Sequence, residues 1–256
     1  MPAIGCQTGR VDTSQPRSCK SPSMIDTRLI LIEGMPCSGK STTAEKLKSI
    51  VSARGIECQC FLEWAPNNPI FIGNIESLPE LIATTKARTQ NVIRNWKAFT
   101  AKARQRVTVS IIESRFWQTD AMYLYLSGHS EHVVIESSRR IVCIISELSP
   151  VLIYLAPKDI GQVLAQVTEA KNQEWQKAGK EGSWQQWGND VYEQQSWFTS
   201  RSLKGEDAIV RFFYEWSSIS DKLYEEVPFH KIKIVDPQAD WEGSMHRIEG
   251  VLELEK

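Results

Sequence analysis

The stretch "LILIEGMPCSGKSTT", residues 29–43, constrains this chain more than any other part of it. Four apolar residues lead into Glu33 and Gly34, and a short loop then reaches Gly39, Lys40, Ser41 and Thr42. The apolar run predicts a buried parallel strand over 28–33. Residues Lys40 to Ala53 predict a helix, with Leu47 and Ile50 turned inward and Gly55 after its end. The pattern GxxxxGK[ST] between them is matched at every required position by Gly34, Gly39, Lys40 and Ser41. Glycines there let backbone N–H groups converge on phosphate oxygens. The helix that follows adds its positive end. Lys40 is then placed for the β and γ phosphates and Ser41 for Mg²⁺, with Ser38 and Thr42 in the same phosphate cradle.

The remainder alternates strand and helix signals. Strands are expected at 57–64, 107–114, 151–157 and 231–235. Helices are expected at 78–104 (with Leu81, Val92, Trp96 and Phe99 inward), 117–126, 131–148, 159–177, 190–201, 205–225 and 240–252. The stretch "AGKEGSWQQWGND", 178–190, reads as a mobile polar loop. Such alternation implies an α/β fold, a parallel sheet with helices on both faces. Residues 1–27 are rich in Ser, Thr, Pro and Gly and lack an apolar period, so they read as a disordered extension before one domain spanning 28–256.

Composition narrows the function classes. With 41% hydrophobic and 24% charged residues, one sizeable core is expected. Net charge is −1, which gives no general field for nucleic acid or an anionic membrane. No apolar run approaches the roughly 18 residues of a membrane helix. The six cysteines form no CxxC pair, and Cys58 and Cys60 read as one face of a strand. A reducing cytoplasm fits that usage. The four histidines show no metal-ligand spacing.

A phosphate loop can serve a switch, a motor or a kinase. The base-reading NKxD pattern of a GTP switch is missing, and so is an apolar run ending in aspartate of the motor type. Instead Glu63 closes "CQCFLE" and Glu113 closes "VTVSIIE". In an open parallel sheet the carboxyl ends of strands face the ligand crevice. One carboxylate near Mg²⁺ and one near an acceptor hydroxyl would meet the needs of phosphoryl transfer. Each has a plainer reading too: Glu63 as a solvated strand end, Glu113 as a helix cap or ion-pair partner. Glu136, at the end of "HVVIES", is a rival to Glu113 within a helical period.

Taken together, "EGMPCSGKST", "LEWAPNNP" and "IIESRFWQTD" resemble the P-loop nucleoside and nucleotide kinases, deoxynucleoside kinases in particular. The resemblance spans about 28–156 and implies a five-stranded parallel sheet of order 2-3-1-4-5, flanked by helices, with a helical lid at about 160–205. It implies Glu63 as acceptor base, Glu113 as the acid of the magnesium shell and Arg115 as a positioning arginine. The order here is Glu-Ser-Arg where that group has Glu-Arg-Ser, so Arg115 starts one residue out of place.

The expected lid is poor in arginine, and Lys171 is its candidate phosphate contact, with Lys177 and Lys180 beyond. Trp175, Trp184, Trp187 and Trp197 cluster there. They read either as an aromatic wall for the acceptor or as packing between lid and body. The expectation is thus an ATP- and Mg²⁺-dependent kinase of a small-molecule acceptor, a nucleoside, a nucleotide or a natural-product hydroxyl, with a homodimer left open. A regulatory nucleotide-binding ATPase without a small acceptor is the second reading, and a nucleic-acid end kinase, disfavoured by charge, the third.

Overall fold

The computed structural model describes residues 26–63, 65–70, 85–118 and 120–253, with backbone alone for 85–89. The sheet has five parallel strands: β1 (Leu29–Gly34), β2 (Cys58–Phe61), β3 (Val109–Glu113), β4 (Val151–Ala156) and β5 (His230–Val235). Their order is β2-β3-β1-β4-β5, as the resemblance implied. β1 is central, with Leu31 level with Ile112 of β3 and with Leu152 of β4.

The helices among the described residues are α1 (Lys40–Ala53), α2 (Thr85–Ala103), α3 (Asp120–Leu126), α4 (Glu131–Ile145), α5 (Ile160–Lys177), α6 (Trp184–Glu193), α7 (Ser196–Thr199), α8 (Gly205–Glu226) and α9 (Trp241–Val251). A strand's side chains alternate between faces, and β1 is apolar on both. Leu29 and Leu31 join Trp96 of α2, Leu126 of α3, Ile141 of α4 and Phe212 of α8 in one core. Ile30 and Ile32 join Leu47 and Val51 of α1 and Met245 and Ile248 of α9 in the other. With helices on both faces, a ligand crevice is expected at the carboxyl edge of the sheet.

Several expected elements are corrected. β2 ends at Phe61, so Glu63 lies two residues past the strand, in a turn. Cys58 and Cys60 do share a face, packed on the second core. The helix expected at 117 starts at Asp120, and Trp117 is buried in the turn before it. The helix expected to reach 148 stops at Ile145 and ends in a 3₁₀ turn, Ser146–Leu148. The first turns of the helix expected from 78, with Leu81, lie outside the described residues; Val92, Trp96 and Phe99 are buried as expected. Residues 1–25 also lie outside them, while Thr27 is already buried.

The largest correction concerns 178–190. The second half of that stretch is not a loop but the start of α6. The Ser183 hydroxyl accepts the Gln186 amide N–H at 3.0 Å, and Asn172 of α5 accepts that of Gln185 at 3.0 Å. These two bonds satisfy donors that a helix start leaves over. Gly188 and Val191 form the buried side, and Gln186 bonds Asp190 on the outer side at 2.8 Å. With glycine at one of its two buried positions, the helix buries a single apolar side chain, that of Val191. The helix expected over 190–201 is correspondingly two pieces, α6 and α7, broken where Gln195 turns extended at φ −81°, ψ 151°.

Candidate active site

The loop between β1 and α1 is built on close approaches that only glycine allows. Gly34 sits at φ +155°, and a Cβ there would stand 2.3 Å from the Leu155 carbonyl oxygen of β4. Gly39 caps α1 in the left-handed region at φ 87°, facing the Trp241 ring. On its far side the loop is braced by Gln238, whose side-chain amide donates to the Cys37 carbonyl at 2.8 Å. The Lys40 ammonium is buried and donates to the Met35 carbonyl at 2.7 Å, so the lysine hooks its own loop. Burial lowers its pKa, while the carboxylates of Glu63, Glu113 and Glu33 hold it up. The Ser38 hydroxyl is buried without a hydrogen-bond partner among the described residues.

Glu113 ties three elements together. It closes β3, is buried, and accepts the Ser41 hydroxyl of α1 at 2.8 Å. Its other oxygen accepts the Glu63 backbone N–H at 3.2 Å. Glu63 is half-buried and borders a cavity that opens from the loop. Ser114 then takes a left-handed turn at φ 58°, which sends Arg115 back into the protein. Its guanidinium donates to the Glu63 carbonyl. Arg115 is 2% exposed and does not border the cavity. The structure therefore brings Lys40, Ser41, Glu63 and Glu113 to one opening and holds Arg115 behind Glu63. Glu136, the rival carboxylate, lies in α4 and pairs with Arg139.

Glu33 is the residue the motifs missed, although a carboxylate inside an apolar strand was itself a signal. It is fully buried and accepts the backbone N–H groups of Phe116 at 2.8 Å and Gln118 at 3.1 Å. It thereby pins the turn that carries Arg115. Burial raises its carboxyl from 4.5 to about 7, against the pull of the Gln118, Phe116 and Trp117 amides and of Lys40. The folded chain thus holds this proton more tightly than the unfolded one. The stability gained is complete below pH 4.5 and is lost as pH rises to about 7. The loss amounts to about 3 kcal/mol. Glu33→Gln should flatten that part of the stability profile, measured by denaturant unfolding between pH 4.5 and 7.5. Equal slopes in both proteins would show that Glu33 does not titrate in this window.

A cavity of about 840 Å³ opens from the loop. Gly39, Lys40, Ser41 and Thr42 form its floor, and α5, α6 and α8 its opposite wall. Gly34 and Ser38 lie behind the floor. Lys171 of α5 borders the cavity but pairs with Glu174 at 2.7 Å. The four tryptophans separate. Trp184 and Trp187 border the cavity, and Trp175 packs on Trp187 with ring centres 5.9 Å apart. Trp197 is fully buried against Phe198 and Phe212. The packing reading holds for Trp197, while Trp184 and Trp187 line open space. Tyr192 and Phe213 complete the aromatic wall; burial and the Glu63 charge raise the pKa of the Tyr192 phenol.

The oxygen pair of Ser41 and Glu113 suits a hard cation such as Mg²⁺, which takes one or two protein oxygens and completes its shell with phosphate and water. Among the described residues no group of three or more His, Cys, Asp or Glu could hold a metal by itself. No helix there is long and apolar enough to cross a membrane.

Residues 28–104 match the family model described as "Chromatin associated protein KTI12". That is less than half of the chain. No curated protein matches it. Among solved structures, thymidylate kinase from Ehrlichia chaffeensis is 13% identical at a TM-score of 0.49, over 91% of this chain and 99% of that one. Thymidylate kinase from Candida albicans is 14% identical at 0.47, over 89% and 91%. Deoxyadenosine kinase from M.mycoides, solved with bound dATP, is 12% identical at 0.47, over 88% and 98%.

Proposed function

We propose that the chain is an ATP- and Mg²⁺-dependent phosphotransferase that phosphorylates the hydroxyl of a small molecule. One observation carries this reading: the loop residues Gly39 to Thr42, the carboxylates Glu63 and Glu113, and an aromatic wall from α6 and α8 border a single cavity. A nucleotide switch needs the loop but not the space. In this reading the N-terminal amides of α1 hold the phosphates and Lys40 neutralises charge on the group in transit. Ser41 and Glu113 hold Mg²⁺, which when bound offsets the charge of the β and γ phosphates. Glu63 orients the acceptor hydroxyl and takes its proton. Arg115 acts through Glu63, by fixing its backbone. Helices α5 to α7 close over the reactants and exclude water, with Lys171 the cation on that side.

The partial match to the KTI12 family model favours a second reading, a regulatory nucleotide-binding ATPase. ATP turnover separates the two. The phosphotransferase should hydrolyse ATP slowly alone and consume it at least ten-fold faster when a pooled metabolite extract supplies an acceptor (roughly 1.4 kcal/mol of barrier). A rate indifferent to every added fraction would leave the regulatory reading standing.

A further inference from the structure

We propose that Gln238 and Trp241, which follow β5, are positioning residues of the nucleotide site: they hold the phosphate loop in its binding shape and so set how tightly the chain takes a polyphosphate. This rests on the loop binding a nucleotide, which both functional readings require. It goes on to assign part of that affinity to the turn between β5 and α9.

The loop needs outside support at one residue. Cys37 takes the left-handed region at φ 57°. A residue with a Cβ is strained there and, left alone, relaxes to negative φ. The Gln238 side-chain amide opposes that relaxation by donating to the Cys37 carbonyl at 2.8 Å. The same peptide unit is held at its other end, where the Ser38 N–H donates to the Met35 carbonyl at 3.2 Å. That carbonyl also accepts the Lys40 ammonium at 2.7 Å. Gln238, the 37–38 peptide, the Met35 carbonyl and Lys40 thus form one connected row. A second support stands at Gly39, the cap of α1, where a Cβ would lie 3.4 Å from the Trp241 ring.

Gln238 and Trp241 can brace the loop because their own turn is fixed. Asp236 is left-handed at φ 52°, and its N–H donates to the Ala156 carbonyl, at the end of β4, at 2.8 Å. The Ala239 N–H returns to the Asp236 carbonyl at 3.0 Å. Asp240 caps α9 by accepting the Gly243 N–H at 2.9 Å, and Trp241 packs on the second core. The turn is tied to the sheet on one side and to α9 on the other, while Gln238 and Cys37 both border the cavity.

A bond made in both the free and the bound chain changes affinity only through the free chain. Without it, some free chains carry a loop that must be re-formed before phosphate binds, and apparent affinity falls with the fraction still in the binding shape. One neutral hydrogen bond limits that fall to about ten-fold. Because Gln238 acts through the loop backbone, the loss belongs to the phosphates, whether or not a base is attached to them.

The test separates phosphate from base. The full chain is titrated calorimetrically, in the presence of Mg²⁺, with a non-hydrolysable ATP analogue and with inorganic tripolyphosphate. Gln238→Met keeps the length of the side chain and removes its donor. It should weaken both ligands by the same factor, about three- to ten-fold, and lower the melting temperature by no more than about 4 °C. Trp241→Leu keeps apolar bulk on the core and should weaken both ligands likewise; if it does not fold, Gln238→Met decides alone. Unchanged affinity for both ligands in Gln238→Met overturns the inference. So does a loss confined to the ATP analogue, which would put Gln238 on the base, and so does a wild-type chain that binds the analogue but not tripolyphosphate. A larger fall in melting temperature makes Gln238 a brace of the fold rather than of the site, and overturns it too. A folded Trp241→Leu protein with both affinities unchanged removes Trp241 from the assignment. A wild-type chain that binds neither ligand fails the phosphate-loop reading itself, and this inference with it.

Discussion

Lys40→Ala is expected to slow transfer about 10²–10³-fold while the protein stays folded, the scale of a lost electrostatic stabiliser. The structure explains both halves of that expectation. Lys40 is buried on the cavity floor, and three carboxylates contribute to its charge state. Its ammonium bonds the Met35 carbonyl at 2.7 Å, so the side chain is held at the loop rather than out in solvent. Removing it takes away the cation that a transferring phosphoryl group would meet and leaves Glu33, Glu63 and Glu113 without it. The cost to folding is smaller, about one hydrogen bond or roughly 1 kcal/mol, because the loop is also fixed by Gly34 against β4 and by Gln238 on Cys37. Single-turnover transfer at saturating nucleotide, beside a thermal melt, measures the two effects. A folded Lys40→Ala protein with near wild-type transfer would remove the phosphate loop from the mechanism.

The framework was legible because it depends on patterns local in sequence. An apolar run, two spaced glycines and a lysine define β1, the loop and α1, and a β-branched run marks β3. The strand order came from the resemblance and agrees with the sheet. What escaped depends on how the chain turns between elements. The resemblance makes Arg115 a positioning arginine one residue out of place, and the left-handed turn at Ser114 buries it behind Glu63. Neither residue type signals that turn. Trp197 was grouped with its neighbours in sequence, yet the break at Gln195 sends it into the core while Trp184 and Trp187 stay on the cavity. Tyr192, Ile209 and Phe213 looked like ordinary helix residues, and only the packing of α6 beside α8 gives them a shared wall. Glu33 was visible as a charge in an apolar strand, but its partners lie more than eighty residues away.

The two cavity carboxylates should separate by partner. Glu63→Gln is expected to leave nucleotide affinity nearly intact and to cut transfer roughly 10²–10⁴-fold, the usual contribution of a general base. Glu113→Gln should instead raise the Mg²⁺ concentration needed for half-maximal rate. Glutamine can preserve the geometry in both places, so charge is what changes. At 113 a glutamine oxygen can still accept the Glu63 N–H, now 3.2 Å from a carboxylate oxygen, and its amide can donate to the Ser41 hydroxyl, now 2.8 Å from the other. At 63 the backbone N–H meets Glu113 and the backbone carbonyl meets Arg115, and these two contacts survive a change of side chain. The bond from Glu113 to the Glu63 backbone adds a further consequence. Glu113→Ala, which removes the acceptor of that N–H, should lose both metal response and transfer, whereas Glu113→Gln keeps Glu63 in place. Titration with a nucleotide analogue and single-turnover transfer, each across a range of Mg²⁺, tests all three variants. Loss of nucleotide binding in Glu63→Gln with none in Glu113→Gln reverses the assignment. Unchanged transfer in both makes these carboxylates braces of the fold, and the proton must then leave the acceptor by another route.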